Sequence, residues 1–118
     1  MTVATDFVRS VTGETFESLV LEATHHVAVE FMSYGCEHCR LLEPVLQEVA
    51  ETLCSREAVF RVNIAIDQEL ANRYEIEGTP TLVMFLRGDE VGRAVGPDPS
   101  VKVLWDAVTR PFGESAQL

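Results

Sequence analysis

Residues 27–40, Val27-Ala28-Val29-Glu30-Phe31-Met32-Ser33-Tyr34-Gly35-Cys36-Glu37-His38-Cys39-Arg40, join an apolar run to two thiols three positions apart. A helical pattern follows. The run reads as a strand buried on both faces, so the first sulfur lies where a strand gives way to a helix N-terminus. Unpaired N–H groups and the macrodipole favour negative charge there. The thiolate is the form that attacks a disulfide, and Cys39, about one turn further on, is close enough to bond Cys36. The pair reads as a dithiol/disulfide redox centre. Glu30 is the exception in its strand. A carboxylate in an apolar run is costly unless paired or protonated, and six positions before Cys36 it is expected to lie beneath the dithiol rather than on a solvated edge.

The remaining chemistry is bounded by composition. At 118 residues the chain is expected to be one domain, residues 1–118, with a core that needs no disulfide staples. A formal charge of −10 argues against a nucleic-acid partner. No membrane-spanning stretch and no signal peptide are visible. Two of three cysteines sit in one Cys-x-x-Cys, which points to a reducing cytoplasm rather than a structural disulfide framework. Zinc would want four ligands, and only Cys36, Cys39 and His38 are local, so no metal is expected. Haem attachment would require histidine where Arg40 stands.

Along the chain, residues 7–11 read as a first strand, and Thr12 as the cap of a helix with Phe16, Leu19 and Val20 inward. His25 and His26 fall in the next connection, as solvated residues rather than ligands. From Cys36 to Leu53 the apolar positions Leu41, Leu42, Val45, Leu46, Val49, Ala50 and Leu53 fit one helical face, kinked at Pro44. Cys54 reads as a small, at least half-buried hydrophobe. A strand over 58–66, a helix over 67–74, a strand over 82–86 opened by Pro80, a turn at 87–90 and a strand over 91–95 follow. Asp98 with Pro99 then caps a last helix that turns Val101, Leu104, Trp105 and Val108 inward. Pro111 stops it, and residues 113–118 form a frayed tail. The fold class is α/β: about five strands in a mixed sheet, flanked by about four helices.

With these landmarks assembled, nearly the whole sequence resembles the thioredoxin family. The likeness rests on the acid-bearing strand, Cys36-Glu37-His38-Cys39, Pro44, Gly78-Thr79-Pro80-Thr81 before an apolar strand, Gly88, and Gly96 ahead of the last helix. The resemblance implies that Cys36 attacks a substrate disulfide and that Cys39 resolves the mixed disulfide. It implies that Glu30 takes the proton from Cys39, and that Pro80 follows a cis bond against the dithiol. Thr79 offers backbone groups to an extended substrate, with Gly35, Glu37 and Gly96 around it. Arg61 and Gly78 align with peripheral positions. The implied partners are disulfide-bearing proteins and a thioredoxin-reductase-type or other thiol donor, with no cofactor beyond the dithiol itself. A monomer is expected.

The departures shape the chemistry. Thioredoxins usually carry Trp-Cys-Gly-Pro-Cys; here Gly35 and Met32 stand where tryptophans are usual, so the recognition surface is expected to be less aromatic. His38, as in protein disulfide isomerases, favours the Cys36 thiolate and a more oxidising couple, whereas Glu37 works against it. The main expectation is a protein-disulfide reductase. An oxidase or isomerase using the same site, and a non-catalytic binding module, are the alternatives.

Overall fold

The computed structural model describes residues 6–113. Its centre is a five-stranded sheet in the order β1-β3-β2-β4-β5, formed by β1 (Arg9–Ser10), β2 (His26–Met32), β3 (Glu57–Asn63), β4 (Thr81–Leu86) and β5 (Asp89–Val95). β1 and β2 run parallel to β3, while β4 runs antiparallel to both β2 and β5. The helices are α1 (Glu37–Leu53), α2 (Gln68–Arg73) and α3 (Val101–Thr109), with a five-residue π-helical turn at Glu17–Leu21 and a 3-10 turn at Arg110–Phe112. This is the α/β architecture with a mixed sheet expected from the sequence.

Strand alternation divides the core into two layers. Ala28, Val59, Leu82 and Met84 pack under Leu42, Leu46, Val49 and Leu53 of α1 and Leu104 and Val108 of α3. Val27, Val29, Phe31, Val62, Val83 and Phe85 face Phe16, Val20 and Leu70 on the other side. Glu30 and Arg61 are register partners on β2 and β3, and both lie on the α1 side. The sheet therefore presents an acid and a base to the helix that carries the thiols.

Several boundaries differ from expectation. β1 shrinks to Arg9 and Ser10, in register with Phe60 and Arg61 at the sheet edge, and the Val11 N–H makes the last bond to β3, to the Arg61 carbonyl at 2.9 Å. Thr12 opens the next segment through its carbonyl, which accepts the Phe16 N–H at 2.9 Å, and not through its hydroxyl. His26 belongs to β2, its ring stacked on Phe112 at 4.0 Å. β3 stops at Asn63, opposite the last residue of β2, and Ile66 turns out to solvent. Leu41 is 57% exposed because it stands one position off the Leu42–Leu46–Val49–Leu53 stripe. Cys54 is exposed, one residue past the last buried position of α1. The cap of α3 is Ser100, whose Oγ accepts the Val103 N–H at 3.3 Å, so Asp98 and Pro99 precede the helix and Val101 overhangs its first turn, exposed. α3 ends before Pro111, as expected. The frayed tail lies outside the described residues apart from Gly113.

Candidate functional site

Cys36 is the N-cap of α1, in an extended conformation, with its N–H donating to the Ser33 carbonyl at 3.1 Å. Its sulfur takes the place of the usual capping oxygen: Sγ accepts the Cys39 N–H at 3.1 Å. The thiol also reaches across to the segment ahead of β4, donating to the Thr79 carbonyl at 3.4 Å. Burial opposes ionisation of Cys36, but hydrogen bonds from the side chains of Cys39 and Thr79 and from the Cys39 and His38 N–H groups outweigh it. The net effect is a thiol below its ordinary value. Cys39 goes the other way. Buried in the first turn of α1 and hydrogen-bonded to Cys36, its thiol is pushed up to about 11.

Pro80 follows a cis peptide bond from Thr79, opposite Cys36. Its carbonyl accepts the Gly96 N–H at 2.8 Å, which ties the start of β4 to the end of β5. Gly96 has φ +57°, a left-handed conformation that glycine adopts without strain, and a Cβ there would stand at ordinary van der Waals distance, 3.6 Å, from the His38 ring. The His38 ring is held on this side. Its Nε2 lies 2.8 Å from the Pro97 carbonyl, which can only accept, so Nε2 carries the hydrogen. Of the two His38 groups, the backbone N–H is the one that bonds the Cys36 sulfur. Glu37 forms an exposed ion pair with Arg40 at 2.8 Å. Gly35 donates to Ser33 Oγ at 3.3 Å.

Glu30 is 1% exposed, and neither carboxyl oxygen has a hydrogen-bond partner among the described residues. Burial, reinforced by the nearby Glu43 carboxylate and opposed by Arg61, raises it to about 7. Arg61 is itself buried. It donates to Glu43 Oε2 at 2.6 Å, Asp6 Oδ2 at 3.1 Å and the Val8 carbonyl at 3.1 Å. A cleft of about 230 Å³ beside Cys39 is lined by Met32, Ser33, Tyr34, Arg40, Glu43 and Arg61.

The structure thus gathers Cys36, Cys39, Thr79, Pro80, Gly96 and His38 at one end of the sheet, with Gly35 and Glu37 on the exposed rim. Glu30 is buried on the α1 side of the sheet, near Arg61 and Glu43. Met32, which stands where a tryptophan is usual, is buried and lines the cleft, while the exposed ring beside Cys36 is Tyr34, 65% accessible. Sequence reasoning assigned no role to Tyr34, Glu43 or Asp6. Tyr34 was visible as the aromatic nearest the thiols; Glu43 and Asp6 depend on strand register and helix rotation, which no local signal carries. No three His, Cys, Asp or Glu side chains converge as a metal site among the described residues, and no helix among them is long and apolar enough to cross a membrane.

Comparison with known proteins agrees with this arrangement. A thioredoxin of Rickettsia bellii is 33% identical over 87 residues, covering 74% of this chain and 83% of that protein. Thioredoxin 1 of Synechococcus elongatus is 36% identical over 90 residues, covering 76% and 84%. A probable protein disulfide-isomerase A6 of Medicago sativa is 38% identical over 87 residues, 72% of this chain, but the chain spans only 24% of its length. The solved structure of Malassezia sympodialis thioredoxin (Mala s 13) superposes with a TM-score of 0.79 at 20% identity, over 93% of this chain and 95% of that one, which establishes the shared fold. The family model described as Thioredoxin matches residues 7–108. With that match running from just before β1 through nearly all of α3, the chain belongs to the thioredoxin family.

Proposed function

We propose that the protein is a thiol-disulfide oxidoreductase that reduces protein disulfides through Cys36 and Cys39. The observation that carries it is the asymmetry of the two sulfurs: Cys36 is half-buried with its thiol lowered, and Cys39 is buried with its thiol raised. In the first step the Cys36 thiolate attacks a substrate disulfide, one S–S bond forms as another breaks, and the first substrate sulfur leaves as a thiolate that takes a proton from water. In the second, Cys39 gives its proton to the Glu30 carboxylate and attacks Cys36 Sγ, releasing the second substrate sulfur. The substrate gains two electrons and the enzyme becomes the Cys36–Cys39 disulfide, reset by a thioredoxin-reductase-type or other thiol donor. Thr79, Pro80, Gly96 and Gly35 form the platform for an extended substrate, with Tyr34 at its rim. The proposed setting is the reducing cytoplasm, as a monomer and without an organic cofactor or metal.

Insulin reduction tests the assignment. The parent protein is expected to turn over, Cys36→Ser to lose activity entirely, and Cys39→Ser to accumulate a mixed disulfide at Cys36; activity surviving in Cys36→Ser would contradict it. A net oxidant or isomerase is the second reading, favoured by the network that stabilises the Cys36 thiolate and hence the reduced enzyme. The couple is accordingly expected to be less reducing than that of a Cys-Gly-Pro-Cys thioredoxin. Equilibration with glutathione checks it: an equal or lower potential than such a thioredoxin would exclude the second reading.

A further inference from the structure

We propose that Glu43 is a positioning residue of the dithiol site: it holds the Arg61 guanidinium on its own carboxylate and away from Glu30, leaving Glu30 free to store and return a proton. The inference rests on the proposed exchange at Cys36 and Cys39, and it concerns what sets the proton affinity of Glu30.

Glu30 and Arg61 are direct register partners on neighbouring strands and project to the same side of the sheet. A buried carboxylate beside a buried guanidinium would be expected to form a two-point ion pair. It does not. Neither Glu30 oxygen has a hydrogen-bond partner among the described residues, and neither does Arg61 Nε. The two Arg61 amino nitrogens are spent elsewhere: Nη2 on Glu43 Oε2 at 2.6 Å, and Nη1 on Asp6 Oδ2 and the Val8 carbonyl, each at 3.1 Å. Glu43 is itself held in place, accepting from Gln47 Nε2 at 2.8 Å, and Gln47 also bonds Asp6 at 2.6 Å. The guanidinium is thereby braced between α1 and the segment leading into β1.

The groups acting on Glu30 are Arg61 from β3 and Glu43 from α1, with the apolar Leu82 as its register partner on β4; Asp6 acts through Arg61, and Glu57 sits at the far end of β3. Glu43 therefore acts twice in one direction, by its own negative charge and by occupying the nearest cation. Both disfavour the ionised form of Glu30. Glu43 and Arg61 also line the same cleft as Cys39.

The test is the ¹³C titration of the Glu30 carboxyl by NMR in the dithiol protein, compared across the parent, Glu43→Gln and Glu43→Asp. In the parent the midpoint is expected near 7. Glu43→Gln removes the charge at constant shape and is expected to lower the midpoint by about one unit. Glu43→Asp, which keeps the charge, is expected to stay near the parent. The acid limb of the insulin-reduction pH profile should move down with the Gln variant by the same interval. A midpoint that stays or rises in Glu43→Gln, or falls equally in Glu43→Asp, would overturn the inference. Because the titration needs no substrate, it is read independently of whether Cys36→Ser abolishes turnover.

Discussion

Glu30 shows what one buried acid does to the balance of the fold. Its ordinary value of 4.5 rises to about 7 in the folded chain, mainly through burial. Between those values the folded state holds a proton that the unfolded state has lost, so this group makes stability fall as pH rises from about 4.5 through 7. Glu30→Gln removes the dependence: the parent is expected to lose on the order of 3 kcal/mol from this group between low and high pH, and the variant none of it. Urea unfolding at pH 5 and pH 8 measures the difference. An equally steep loss in the variant would show that Glu30 titrates near its ordinary value. The residue was legible in the sequence because a carboxylate interrupts an otherwise apolar strand. Its setting was not, since Arg61 and Glu43 reach it only through the β2–β3 register and the rotation of α1.

Helix ends and turns were the less legible elements, and for local reasons. Asp98-Pro99 and Ser100 both offer capping chemistry, and the stronger-looking pair lost because the first helical turn begins after Ser100. Ser100→Ala is expected to cost about 1 kcal/mol, with Asp98→Ala close to neutral; thermal unfolding of the two variants checks the order. The Arg87-Gly88 turn was legible, yet the reason for its glycine lies elsewhere in the chain. Gly88 has φ +86°, and a Cβ there would stand 2.8 Å from the Leu21 carbonyl oxygen, closer than the backbone allows. Gly88→Ala is expected to destabilise by more than about 1 kcal/mol, read by the same unfolding measurement. α1, by contrast, was readable almost to the residue, because its stripe of Leu42, Leu46, Val49, Ala50 and Leu53 is long and Pro44 lies within the helix without ending it.

The fold as a whole explains why two sulfurs so close in sequence differ so much. α1 stands over the sheet with its N-terminus at the edge where β2 ends, and the cis Thr79-Pro80 bond brings β4 up to the same point. Cys36, as the cap, gains N–H donors and a place near solvent; Cys39, one turn in, is sealed against the core. The element order and the mixed sheet followed from the alternation of apolar runs and helical stripes, whereas the strand order needed the crossovers themselves. The most direct test is residue-resolved alkylation of the dithiol protein by iodoacetamide across pH, followed by mass spectrometry. Cys36 is expected to react first, with a midpoint below the ordinary cysteine value, and Cys39 only as pH approaches about 11. Cys39 reacting first, or both thiols together, would contradict the assignment of Cys36 as the attacking sulfur.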